Sequence, residues 1–116
     1  MNIPVEHQIA VLKANGWTDC YQSPFMLDEG RLCGIVNKDE GFTVCPEPSF
    51  DLLRGALLTL VPEKLKTFYQ KLYRLNTGVD DKSEPVTWYD MRALSAWIAP
   101  LEYHYAAFFK VKAGGM

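Results

Sequence analysis

Three cysteines, Cys20, Cys33 and Cys45, and two histidines, His7 and His104, are the side chains with which this chain of 116 residues could ligate a metal or attack a substrate. None of the cysteines form a C-x-x-C pair, and zinc frameworks are built on such short spacings. A zinc site would need Cys20 and either His7 or His104, drawn from opposite ends of the chain, to join a Cys33–Cys45 half-site. An odd set of unpatterned thiols instead suits a reducing compartment, where small buried thiols pack as hydrophobes. The expectation is three free thiols, no metal and no cofactor. Cys20 as a nucleophile with His104 as its base is disfavoured, because Asp19 beside Cys20 raises a thiol pKa that catalysis needs lowered. The Walker loop, G-x-G-x-x-G, H-E-x-x-H and G-x-S-x-G are all absent, so the sequence reads as no enzyme.

A second constellation is basic. Lys64, Lys66, Lys71 and Arg74, set against the single acid Glu63, give the segment Pro62 to Asn76 a net charge of +3 on a chain whose total is −2, so the remainder carries −5. Tyr69 and Tyr73 lie one helical turn apart beside these cations, and such a face could grip phosphates and stack on bases. Four cations are few for that task and the acidic remainder repels phosphate, so a nucleic-acid accessory role ranks second.

The surplus of aromatic residues carries the leading expectation. Six Tyr, six Phe and three Trp make up 13% of the chain, more than a core of this size needs. Trp and Tyr bury much area for little lost rotamer freedom and concentrate at the energetic centres of protein interfaces. Trp88, Tyr89, Trp97 and Tyr103, with Tyr69 and Tyr73, are the expected partner-binding residues. Acidic loops at Asp28-Glu29, Asp39-Glu40 and Asp80-Asp81 frame them. The expected partner is a larger protein, and not nucleic acid or a membrane.

The elements that must position these residues follow from period and punctuation. Pro4 opens a helix whose Val5, Ile9 and Leu12 repeat at helical spacing as far as Ala14, and Asn15-Gly16 stops it. Between Pro24 and Pro46 three short apolar runs, Phe25-Met26-Leu27, Leu32 to Val36 and Phe42 to Cys45, alternate with Gly-bearing acidic loops and predict a three-stranded antiparallel meander. Pairing Val36 with Phe42 would set Cys33 opposite Cys45. Ser49 is a candidate N-cap for a helix carrying Phe50, Leu53, Leu57 and Leu60. Pro62 then begins another, whose core face is Leu65, Phe68, Leu72 and Leu75. Thr87 with Asp90 resembles a capping box ahead of a fourth helix from Trp88 to Ala99. Leu101, Tyr103, Tyr105, Ala107, Phe109 and Val111 alternate as a strand over 101–112, although Leu101, Tyr105 and Phe108 also suit a helix face; β-propensity favours the strand. As a fourth, edge strand it would let a second copy pair into a homodimer.

Length and an apolar content of 48% fit one α+β domain over residues 1–116, a small antiparallel sheet packed by about four helices. No apolar run approaches the ~18 residues that cross a bilayer. Met1 to His7 lacks the basic and apolar blocks of a secretory signal, so a cytoplasmic location is expected. A motif-free, mildly acidic, aromatic-rich domain of this size resembles in type the small inhibitors that bacteria and their phages make, such as immunity and anti-defence proteins. Such proteins occlude a site on a larger partner.

Overall fold

The computed structural model describes residues 3–22, 31–77 and 99–114. Among them the elements run α1 (Val5–Ala14), β1 (Thr18–Gln22), β2 (Leu32–Ile35), β3 (Thr43–Val44), α2 (Phe50–Leu57), α3 (Pro62–Thr77) and α4 (Leu101–Gly114). This is the expected α+β architecture, a three-stranded antiparallel sheet in the order β1-β2-β3 beside four helices. The predicted helix from Trp88 lies outside the described residues, as do the run Phe25-Met26-Leu27 and the acidic pairs Asp28-Glu29 and Asp80-Asp81. No helix among the described residues is long and apolar enough to cross a membrane.

The caps act where the sequence placed them. Pro4 is the N-cap of α1, and its carbonyl accepts from the His7 and Gln8 N–H groups. The Ser49 hydroxyl accepts from the Leu52 N–H at 3.1 Å and starts α2, with Asp51 in the first turn complementing the helix dipole. Phe68 and Leu72 of α3 are fully buried, and Leu65 and Leu75 pack beside them.

Three sequence expectations are corrected. The sheet extends beyond the Pro24–Pro46 segment, because among the described residues its first strand is Thr18–Gln22. Four of this strand's five residues are exposed, so no apolar alternation marks it. The second correction is the register: Cys33 pairs with Val44 and Gly34 with Thr43, one residue away from the pairing that would oppose Cys33 and Cys45. The turn explains the slip. Asn37 closes it twice, its carbonyl accepting from Glu40 N–H and its side chain from Asp39 N–H, and Gly41 at φ 69° absorbs the extra residue. A one-residue slip moves every side chain to the other face.

The third correction is residues 101–112, which form helix α4 rather than a strand. The Pro100 carbonyl accepts from the Tyr103 and His104 N–H groups and opens the first turn. Leu101, His104, Tyr105, Phe108 and Val111 then share one buried face at helical spacing. Burying five large side chains against α1, α2 and α3 outweighs the β-propensity of Tyr, Phe and Val. A helix here offers no strand edge to a second copy.

The core divides in two. A helical cluster holds Val11, Leu53, Ala56, Phe68, Leu72, Tyr105 and Phe108, among others. A smaller cluster under the sheet holds Leu12, Leu32 and Cys45, with Trp17, Cys20, Ile9 and Leu52 packed against it. Successive α1 residues Val11 and Leu12 serve one cluster each, so α1 couples the sheet to the helices.

Candidate functional site on the sheet

Pairing of Tyr21 with Cys33 and of Cys33 with Val44 lines these three side chains across the sheet in one row. Period-2 alternation adds Ile35 and Phe42 to the same face. The outer face is open on its outer strands, with Tyr21 43% exposed, Val44 43% and Phe42 55%, while Cys33 between them is 6% exposed and the inner-face Leu32 and Cys45 are 4% and 2%. The Tyr21 and Phe42 rings meet edge-on with centroids 5.4 Å apart, a favourable aromatic geometry held in solvent. Asp19 in β1 and Lys38, Asp39 and Glu40 in the connection between β2 and β3 are all exposed.

The inner face gathers thiols. Between Thr18, paired with Ile35, and Tyr21, paired with Cys33, β1 carries one residue more than β2, a bulge with Asp19 at φ 52°. Asp is one of the few side chains that tolerates that left-handed backbone. The bulge turns Cys20 inward over Gly34, where an added Cβ would lie 3.0 Å from Cys20 Sγ and 3.1 Å from the Thr18 carbonyl oxygen. Cys20 packs against the cluster that holds Cys45. Burial above all pushes the Cys45 thiol up to about 12, and its neighbours Cys20 and Cys33 add to the rise while Arg31 opposes it. Burial also raises Cys20, against its neighbour Cys45 and the charge of Lys13; Asp19 contributes in the direction the sequence implied, but least.

The histidines lie apart from this cluster. His104 is buried in the helical layer, its Nδ1 3.1 Å from the Pro100 carbonyl and its ring edge-on to Phe50 at 5.1 Å. It borders a small cavity of about 150 Å³ with Phe50, Leu53 and Tyr69. His7 packs on Phe109 with ring centroids 4.5 Å apart, and its buried Nδ1 has no hydrogen-bond partner among the described residues. Burial lowers the pKa of both rings. The structure therefore does not bring Cys20 and His104 into one site. Among the described residues no three His, Cys, Asp or Glu side chains gather as a metal group.

Of the residues expected to bind a partner, Trp88, Tyr89 and Trp97 lie outside the described residues. Tyr69 is 9% exposed and packs edge-on against Phe68 in the helical core. Tyr103 is half-buried against that core, and Tyr73 is half-buried on α3. On α3 Lys66 is exposed while Lys64, Lys71 and Arg74 are half-buried. At about 100° per residue Lys64, Lys71 and Arg74 fall within about 80° of one another and Lys66 about 80° further round, so the four span a little under half of the helix circumference. Sequence reasoning counted Tyr21 in the aromatic surplus but assigned it no role, and it missed Phe42 and Val44. The available signal was Phe42-Thr43-Val44 itself, whose alternation sends Phe42, just before β3, and Val44 within it to the same face.

Comparison with known proteins finds no family model, no curated protein and no solved structure that matches the chain.

Proposed function

We propose that this chain is a small protein-binding module of the inhibitor type, which occludes a site on a larger protein with the outer face of its sheet. The observation that carries the reading is the solvent-exposed Tyr21–Phe42 ring pair beside Val44 in a register that aims all three the same way. Exposed apolar residues scattered singly are ordinary, whereas an aligned aromatic group is the composition of an interface centre. Asp19, Asp39 and Glu40, exposed in β1 and in the β2–β3 connection, call for a partner surface with an apolar centre and a basic rim, because complementary rims speed encounter and exclude wrong partners.

The test compares matched variants as bait in a lysate of the cell that makes the protein. A partner retained by the wild type should be lost with Phe42→Glu and with Tyr21→Ala, while both variants keep the wild-type unfolding midpoint within a few degrees. Retention should survive salt that screens rim charges. A partner that both variants retain undiminished would overturn the reading, as would one released by salt alone and by Lys66→Glu; that second outcome would favour the basic helix.

A further inference from the structure

α1 packs along α4, and a cavity of about 420 Å³ opens between them, a volume in the range that holds small molecules. Its body is hydrocarbon: Ile9, Ala10 and Ala14 line it from α1, Phe109 and Ala113 from α4. His7 packs on Phe109 with ring centroids 4.5 Å apart and so steadies the ring that walls the α4 side. The alanines set the width, because a longer side chain at a lining position would project into the cavity.

Charge is distributed unequally along it. Lys13 and Lys112, both exposed, line the cavity from the last turns of α1 and α4. Neither makes an ion pair among the described residues. Lys112 Nζ lies 5.9 Å from the Phe108 ring centroid, a weak contact at an exposed site that leaves the ammonium hydrogens free to donate. Glu6 lines the cavity from the first turn of α1, roughly 10 Å along the helix axis from Lys13. Part of the positive charge offsets the helix ends, since each C-terminus carries about −0.5 elementary charge against the +1 of its lysine. About +1 remains between the two helices for a ligand. Helix dipoles explain a cation at each C-terminus, but they do not explain an apolar cavity between the two cations.

We propose that this cavity binds an apolar monocarboxylate of medium chain length, its carboxylate between Lys13 and Lys112 and its chain along Ile9, Phe109 and the alanines. The residual charge matches a monoanion better than a phosphate dianion. Glu6 repels a second carboxylate and an anionic bilayer alike, so the far end of the ligand is neutral and the ligand enters as a single molecule. The site belongs to the helical layer and shares no residue with the outer sheet face, so it stands or falls independently of a protein partner there.

Calorimetric titration of the intact protein with octanoate, decanoate and dodecanoate, each below its micelle concentration, tests the site. One acid per chain is expected, with affinity rising about fourfold per added CH₂ until the chain outgrows the cavity. Decanol, which keeps the chain and lacks the charge, should bind ~10-fold more weakly than decanoate, and the double variant Lys13→Glu, Lys112→Glu should lose decanoate by a similar factor or more. Ala113→Leu, which keeps both lysines at an exposed position, should weaken all three acids by filling the space of the chain. Phe42→Glu should bind them as the wild type does. Circular dichroism and urea midpoints of each variant separate lost binding from lost fold. Absence of saturable binding by any acid, decanol bound as tightly as decanoate, or undiminished binding by the folded charge-reversal variant would overturn the proposal. So would capture on phosphatidylglycerol vesicles by a protein that takes up no monomeric acid.

Discussion

The inner and outer faces of the sheet are built from the same kind of residue and meet opposite surroundings. Leu32 and Cys45 are sealed beneath α1, while Phe42 and Val44, at adjacent or next positions on the partner strand, lie about half in solvent. An antiparallel strand with one wet face normally alternates apolar with polar residues. Leu32-Cys33-Gly34-Ile35-Val36 does not alternate; it reads as a strand meant to be covered on both sides. The difference teaches that the outer face is apolar without a structural need for it to be so, whereas the inner face has no such freedom.

The strongest way to break this contrast is Leu32→Ala. On a sealed face the substitution should cost ~2–5 kcal/mol in urea unfolding, from lost transfer energy and the cavity left behind. A cost below ~1 kcal/mol would mean that the small cluster contributes little and that the faces are equivalent. Gly34→Ala should cost ~1–3 kcal/mol by overpacking, because the new methyl meets the Thr18 carbonyl oxygen at 3.1 Å as well as Cys20, and backbone cannot swing aside as a side chain can. A neutral result would show that the bulge relaxes.

Acid sharpens the comparison by loading the helical layer instead of the sheet. The pKa values of His104 and His7 are both lowered by burial, so the unfolded chain binds protons before the folded one does. Stability should be fully present above about pH 6.5 and fall as the pH drops below it. His104→Gln should flatten that slope in denaturant titrations between pH 5 and 7, whereas a slope unchanged in this variant would assign it to other groups. The smallest effect belongs to the outer face. Phe42→Ala should change stability by less than ~1 kcal/mol, the scale of an exposed ring pair. A loss comparable with that of Leu32→Ala would make Phe42 a core residue and remove the basis for an interface there.

Helix boundaries were legible because their signals are local. Pro4, Ser49 and Pro62 each mark a start by backbone chemistry that does not depend on the rest of the chain, and Phe68 and Leu72 repeat at an unbroken period. The sheet was legible as a sheet but not in register, since register hangs on one Asn-closed turn and one glycine with positive φ. The placement of the thiols was invisible for the same reason: the sequence directed attention to Cys33 opposite Cys45, and the register puts Cys45 in the inner cluster against which Cys20 packs. Tyr69 shows the limit for the site, because its i, i+4 relation to Tyr73 gives the spacing of a face but not which side of that face water reaches. Strand β1, with most of its residues exposed, left no pattern to read.

Tyr105 gives the molecule an order of assembly. Its buried hydroxyl accepts a hydrogen bond from the Ser49 N–H at 3.1 Å and donates to the Ser49 carbonyl at 3.4 Å, so the residue that caps α2 is secured by one that lies 56 positions later. A ribosome delivering the chain from its N-terminus releases Ser49 long before Tyr105. The α2 start can be capped locally as soon as Leu52 emerges, but it cannot be anchored until Tyr105 has been made as well. Closing so long a loop favours late, concerted docking of the last helix over stepwise growth. Chains truncated before Tyr105 should therefore hold local helices without a fixed core, and the last helix acts as the clasp that turns a string of elements into a folded protein.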